Sequence, residues 1–502
     1  MNARSLILVT VDCLRADHVG FLGYSRPTTP FLDSLAKESI VFSNAIVAGA
    51  PTYFSFPAIL ASRYPLALGR DVFGIAPGES TLATELQAAG YTTGAFIAGN
   101  PYLTARFGYD QGFDEFHDFL STVADEEAPA PSNGISSRLN RRLHALARQT
   151  PLTAAAYEEL YFRYCQRRVA RENVPLDTLR RYPAAHVVVD QASSWLANVG
   201  DRPFFLWIHL MDPHHPYYPP EEALAELSPQ TTPQRARFLN SFWNRENVSI
   251  RRLRRYRDEV VSLYDAGIYW ADRQISRLVS TLKQLDRWKD SVFALTADHG
   301  EEFLEHGTRY HNPGNMNEGL IRVPLLVRFP ASSGNVHKTP FSHIDLAPTL
   351  LLALKVSPSA KFRGRPYSSS LDASNVDVPV TAESTECTNP IEPQKWLSSR
   401  VICIRGPRYK LTLRLDTGEG TWLDLDTPEA IRPLPENVPK TIRRRFLERA
   451  LQHVVESRRL DDAESRLRAK LREIRIQLLR APSQVTQHTA PPPAPNPVKT
   501  PQ

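Results

Sequence analysis

Apolar residues along this chain fall into short unbroken runs that stop at acidic or imidazole side chains. Leu6-Ile-Leu-Val-Thr-Val11 stops at Asp12, and Pro203-Phe-Phe-Leu-Trp-Ile-His-Leu210 stops at Met211-Asp-Pro-His-His-Pro-Tyr217. Ser291-Val-Phe-Ala-Leu295 runs on through Thr296-Ala297 to Asp298-His-Gly300. Runs of this length without polar alternation predict strands buried on both faces. Tyr91-Thr-Thr-Gly-Ala-Phe-Ile-Ala98 and Ile321-Arg-Val-Pro-Leu-Leu-Val-Arg328 predict two more strands, and Ile40-Val-Phe42 a short extended piece. Helical spacing lies between them: at 31–38, at 52–61 with Pro57 near the start, at 81–90 with a Gly stop, along 254–285, and at 345–353. This alternation predicts an α/β fold with a large, mostly parallel sheet flanked by helices.

The pattern changes twice. From about residue 121, a linker-like Glu126-Glu-Ala-Pro-Ala-Pro-Ser-Asn-Gly134 leads into an Arg-rich, helical insertion ending near residue 182, placed near the site mouth. Beyond about residue 357 the chain predicts short extended pieces at 378–381, 400–404 and 409–413, as a small antiparallel sheet would need. The expected organisation is a catalytic domain over 1–356 carrying the insertion, a small C-terminal α+β subdomain over 357–435, a basic helical region over 436–480, and a Pro-rich tail over 481–502 too poor in apolar residues to fold.

Composition narrows the function classes. A chain of 502 residues that is 42% hydrophobic can bury a large core, and no run approaches the roughly 18–20 apolar residues of a membrane span. The first apolar run is short for a secretory leader and has no small-residue cleavage site, so the expected compartment is the cytoplasm. Cys13, Cys165, Cys387 and Cys403 lack CxxC spacing and read as free thiols. The net charge of +6 is concentrated at the C-terminal end, as in Arg443-Arg-Arg445. Solvated helix faces account for it; nucleic acid is not the expected partner, and an anionic surface is the candidate partner of the basic helical region.

The strand ends carry the chemistry. Asp12, then Asp212 with His214 and His215, then Asp298 with His299 each follow a predicted core strand. In a parallel sheet, ends that point the same way converge, and ligands bind beyond them. Carboxylate oxygens and imidazole nitrogens together suit a divalent cation. Thr52 opens a predicted helix, where backbone N–H groups and the positive end of the dipole favour an anionic ester. A simple N-cap is the structural alternative.

At Thr52 these segments, taken in order, resemble the sulfatase family of the alkaline phosphatase superfamily. The likeness is carried by Leu6-Ile-Leu-Val-Thr-Val-Asp-Cys-Leu-Arg-Ala-Asp-His-Val-Gly20, Thr29-Pro-Phe-Leu-Asp33, Asp212-Pro-His-His-Pro-Tyr217, Asp298-His-Gly-Glu301, Arg322-Val-Pro-Leu325, Ser342-His-Ile-Asp-Leu-Ala-Pro-Thr-Leu350 and Arg408-Tyr-Lys410. It implies a metallohydrolase fold acting on a tetrahedral sulfate or phosphate, with a small-molecule or glycan ester as substrate. Asp12, Asp298 and His299 become the expected metal ligands, Thr52 the nucleophile, His214 the residue at the leaving oxygen, and His311 a residue facing the anion. Cys13, Asp212, His215 and His306 are further candidates for a second metal or for substrate contact. Glu301, Glu302 and His306 are expected mainly to stabilise the loop, and His209 and His343 to be core residues or supports of the site.

Two departures from the family pattern decide the expected chemistry. Thr52-Tyr-Phe-Ser-Phe56 lacks the Cys/Ser-x-Pro-x-Arg signal, and Thr cannot be oxidised to formylglycine, so no formylglycine is expected. Asp12-Cys13 stands where an Asp pair is usual, and His299 adds an imidazole, which favours Mn²⁺ or Zn²⁺ over Ca²⁺ or Mg²⁺. A Thr nucleophile with an Asp-His pair resembles the branch containing lipoteichoic acid synthase and phosphoethanolamine transferases, so phosphoesters are favoured and transfer is an alternative to hydrolysis. Two other readings stand beside this one: a sulfuric ester hydrolase working without the aldehyde, and a catalytically silent anion-binding protein.

Overall fold

The computed structural model describes residues 5–67, 74–120, 151–169, 176–246, 248–330, 333–367, 378–385, 400–427 and 435–459. The 126–134 linker, Cys387 and the Pro-rich tail lie outside these residues. So do residues 121–150 and 170–175 of the insertion and the basic region beyond residue 459.

Eight strands form the central sheet: β1 (Ser5–Val11), β2 (Ile40–Phe42), β3 (Thr92–Ile97), β4 (Glu115–His117), β5 (Phe204–Leu210), β6 (Ser291–Ala297), β7 (Leu325–Arg328) and β8 (Asn335–His337). Their order is β8-β2-β7-β6-β1-β5-β3-β4. Every residue of β1, β5 and β6 is buried, as their unalternating sequences require. β1 runs parallel to both neighbours, with Val11 level with Leu210 of β5 and with Ala297 of β6. That register brings Asp12, Met211 and Asp298 out of the sheet side by side.

The sheet is mostly parallel, as expected, with β7 running antiparallel to β2 and β6. The 321–328 strand divides at Pro324, which has no N–H for the ladder. Its first half, Arg322–Val323, joins Ala45–Ile46 in a separate three-stranded sheet. The 254–285 stretch is one helix over Arg257–Gln284, preceded by a short helix, Ile250–Arg254. Within the insertion, Pro151–Val169 is helical.

The C-terminal antiparallel sheet has four strands, Val380–Thr385, Arg400–Arg405, Tyr409–Arg414 and Gly420–Asp424. The last was not anticipated: only Trp422 is buried along it, too little to show a period. Helix Lys440–Arg459 covers this sheet through Phe446 and Ala450, which meet Ile402, Ile404 and Trp422. The sheet also braces the loop before Thr52. Glu383 N–H donates to the Ala48 carbonyl at 2.8 Å, and Ser384 Oγ donates to the Ala50 carbonyl at 2.8 Å. Among the described residues no helix is long and apolar enough to cross a membrane.

Candidate active site

Thr52 is the first residue of helix Thr52–Ala61 and follows its N-cap, Pro51, so Thr52 does not occupy the cap position. Its hydroxyl turns instead to His299, with Oγ1 3.1 Å from Nε2. His299 Nδ1 lies 2.8 Å from the Gly300 carbonyl. A carbonyl only accepts, so Nδ1 carries the proton and Nε2 presents a lone pair. The same Nε2 is 3.4 Å from Asp298 Oδ2 and 3.7 Å from Asp12 Oδ1.

Asp12 is oriented from its other oxygen. Asn100 Nδ2 donates to Oδ2 at 3.0 Å, and His209 Nε2 lies 3.3 Å from the same atom. His209 is itself held by Thr10 Oγ1, 2.9 Å from Nδ1. Asp12 Oδ1 and Asp298 Oδ2 are buried and accept no hydrogen bond from the described residues. Burial opposes ionisation of Asp12, but the imidazoles of His214, His209 and His299 hold it below the usual carboxylate range. Asp298 is pushed up, by burial and by the charge of Asp12. Two carboxylates of opposite tendency, each with an unused oxygen, beside an imidazole lone pair, fit one divalent cation.

Cys13, Glu301 and two further histidines adjoin this point. Cys13 has φ +60°, in the left-handed region. Its carbonyl accepts from Tyr264 Oη at 2.7 Å, and its N–H donates to Asp298 Oδ1 at 3.3 Å. Cys13 Sγ is 3.5 Å from His311 Nδ1 and 3.8 Å from His299 Nδ1. Burial, with Glu301, Asp12 and Asp298 around it, pushes the thiol up. His311 follows strand Arg309–Tyr310, and its Nδ1 is 3.4 Å from Glu301 Oε1. Burial works against the Glu301 charge, yet His311 holds its carboxyl below the ordinary value. His214 Nδ1 lies 2.5 Å from the His215 carbonyl, so the proton sits there and Nε2 is free.

Of these groups, Thr52, Asn100, His214 and His311 line a cavity of about 300 Å³, together with Tyr53 and Tyr310. None of the described residues lining it is Lys or Arg.

Three of the sequence candidates are not brought into the cluster. Asp212 pairs with Arg180, Oδ1 to Nη1 at 3.0 Å, and accepts from the Ala185 N–H at 3.0 Å, which makes it an anchor for the loop rather than a donor to the cavity. His215 packs edge-on to Tyr217 and tilted against Tyr310, and burial lowers it to about 3. His306 is turned outward onto Glu302, Nδ1 to Oε1 at 2.8 Å. His343 is a core residue bonded to Thr296 Oγ1 at 2.9 Å. Asn100, three residues past β3, had no part in the sequence reading; an Asn just after a strand adjoining β5 was the signal available. Glu301 sits deeper than a loop stabiliser, fully buried with both oxygens lacking a hydrogen bond.

Comparison with known proteins places this geometry. The family model "Sulfatase" matches residues 4–356. The chain is 23% identical over 375 residues to an uncharacterized sulfatase, YidJ, of Escherichia coli, covering 70% of this chain and 68% of that protein. It is 24% identical over 381 residues to an arylsulfatase of Clostridium perfringens, covering 69% and 74%. Among solved structures, the phosphonate monoester hydrolase of Agrobacterium radiobacter superposes with a TM-score of 0.63 at 16% identity, over 91% of this chain and 96% of that one. The family match spans the strand ends that converge on Asp12, Thr52, His214 and Asp298, and by it this chain belongs to the sulfatase family.

Proposed function

We propose that this protein is a metal-dependent hydrolase of phosphate esters in which Thr52 is the nucleophile. The observation that carries the reading is the placement of Thr52 Oγ1 against the lone pair of His299 Nε2, beside two buried carboxylate oxygens without partners. A divalent cation held by Asp12, Asp298 and His299 would neutralise an incoming anion and ease ionisation of the Thr52 hydroxyl.

The residues divide the remaining work. Thr52 Oγ1 attacks the phosphorus; its proton leaves to solvent, and the ester oxygen departs with the bonding pair. His214 in its imidazolium form, with Nδ1–H held by the His215 carbonyl, donates its Nε2 proton to that departing alkoxide. Water then attacks the phospho-threonine, releasing phosphate and restoring the hydroxyl. The N-terminus of helix Thr52–Ala61 supplies backbone N–H groups to the anion. His311, on the cavity wall, faces the same charge.

The phosphoester preference rests on Thr52 itself. A hydroxyl with a methyl branch cannot become an aldehyde, so the ester bond it forms must be cleared by attack at the central atom. The phosphonate monoester hydrolase among the fold neighbours acts on a related phosphorus centre. A side-by-side assay on nitrophenyl phosphate, bis-nitrophenyl phosphate and nitrophenyl sulfate tests the reading, with stripped protein refilled by Mn²⁺, Zn²⁺ or Ca²⁺. Turnover of a phosphate ester with Mn²⁺ or Zn²⁺ is expected. Turnover of the sulfate alone would overturn the phosphoester preference, and full activity in Thr52→Ala would overturn the nucleophile.

A further inference from the structure

We infer that Trp207, Thr10 and His209 are positioning residues for Asp12. They form a buried chain of hydrogen bonds that runs in one direction, fixes which nitrogen of His209 faces the carboxylate, and so keeps Asp12 Oδ1 free for a cation. The inference rests on the proposal that Asp12 holds a cation, and is independent of the ester that the site takes.

Strand geometry brings the four residues together. Trp207 and His209 are two apart on β5, so their side chains leave the same face of the sheet. Thr10 lies level with His209 on β1, and Asp12 follows the end of β1. All four are fully buried. Away from solvent, their polar atoms have to find partners within the protein.

Donor and acceptor chemistry then sets the direction. Trp207 Nε1–H only donates, so Thr10 Oγ1, 3.1 Å away, accepts from it. The Asp12 carboxylate only accepts, so His209 Nε2, 3.3 Å from Oδ2, carries a proton. Thr10 has one proton to give. His209 Nδ1 lies 2.9 Å from its oxygen, nearer than the Ile208 carbonyl at 3.3 Å. The hydroxyl therefore donates to Nδ1, and the chain runs from Trp207 through Thr10 and His209 to Asp12. Without that hydroxyl the ring proton is free to move to Nδ1. A bare Nε2 would then face Oδ2 and turn the carboxylate from its place.

The helix that carries Thr52 closes over this chain. Phe56 stands where the family signal has Arg. Its ring packs edge-on to His209 at 5.2 Å and tilted against Trp207 at 5.4 Å between centroids. A phenyl ring brings no donor or acceptor that competes for either side chain, and it leaves Thr10 as their common partner.

The test uses the full chain, stripped of metal and isotopically labelled at its histidine nitrogens, with nitrogen–proton correlation spectra at neutral pH. His209, assigned by the signals lost in His209→Gln, is expected to carry its ring proton on Nε2 alone. Calorimetric titration with Mn²⁺ is expected to show affinity weaker by roughly 10-fold in Thr10→Val, and close to that of the wild type in Thr10→Ser, which keeps the hydroxyl. A proton on His209 Nδ1, alone or together with Nε2, would overturn the chain. So would a folded Thr10→Val that binds Mn²⁺ as tightly as the wild type. The wild-type spectrum decides the direction even if Thr10→Val does not fold. The expected spectrum and affinities with no ester turnover would uphold the positioning role and sink the hydrolase reading. Ester turnover with a proton on Nδ1 would do the reverse, and a wild type that binds no Mn²⁺ would remove both.

Discussion

Thr52 Oγ1 stands 3.1 Å from His299 Nε2, and 247 positions of chain separate the two residues. One opens a helix and the other follows the end of β6. The Gly300 carbonyl fixes the His299 tautomer, so this nitrogen meets Thr52 as an acceptor rather than a donor. Gly300 has to be Gly here: a Cβ on it would lie 1.9 Å from the Gly319 carbonyl oxygen.

From this contact, Thr52→Ala is expected to lower kcat on a phosphate ester by roughly 10³-fold or more, because only binding and electrostatic contributions remain. Thr52→Ser should retain a measurable fraction. Rapid quenching of the wild type with substrate, followed by intact-mass measurement, should show one phosphoryl group on the chain and none on Thr52→Ala. A phosphoryl adduct persisting in Thr52→Ala would place the nucleophile elsewhere.

Asn100 donates to Asp12 Oδ2 and so directs Oδ1 at the proposed cation position. Replacement by Ala removes one of the two groups orienting that carboxylate. The expected result is metal affinity weaker by roughly 10–100-fold, with the melting temperature of the stripped protein little changed. Calorimetric titration with Mn²⁺ measures it, and an unchanged affinity would count against the orienting role.

Arg180 and Asp212 form an ion pair shielded from solvent, with side chains 4% and 0% exposed. Burial pushes Asp212 up, and Arg180 opposes that shift. Arg180→Met strands the carboxylate and should cost about 3–5 kcal/mol in urea unfolding. Adding Asp212→Asn should recover part of that loss, since the amide oxygen can still accept from the Ala185 N–H. A double variant as unstable as the single one would refute the pairing argument.

Glu383 gives a pH dependence away from the cation ligands. Burial opposes its charge, but Arg400 and His453 hold it at about 2, below the ordinary 4.5. The folded-state value is depressed, so this stabilisation is fully present above about 4.5 and is lost as pH falls towards 2. Over that window the difference is on the order of 3 kcal/mol. Glu383→Gln should flatten the acid limb of stability measured by denaturant melts from pH 5 to about pH 2. An acid limb as steep as the wild type's would show that other carboxylates govern it.

The sheet, and the polar residues at its edge, were legible in the chain read segment by segment. A buried strand is a local signal, and a polar residue that ends one is visible without any partner. That is why Asp12, Asp298, His299 and His214 stood out in their own segments, while Thr52, at a helix start, was singled out by the family resemblance, and why the parallel α/β class followed from alternation. The tertiary structure decided which of these residues face one another. The level register of β1 with β5 and β6 sets Asp12 beside Asp298, but Asp212, in the equivalent loop after β5, turns away to Arg180. Nothing in Met211-Asp-Pro-His-His-Pro-Tyr217 distinguishes these outcomes, because the choice depends on an arginine outside the segment. Asn100, Glu301 and His209 gained their places in the same way, through hydrogen bonds and ion pairs between residues far apart in the chain. His306 lost its place by pairing four residues away, with Glu302. Side-chain direction at a strand end is set by what packs against the loop, and that information lies in the folded neighbours rather than in the loop.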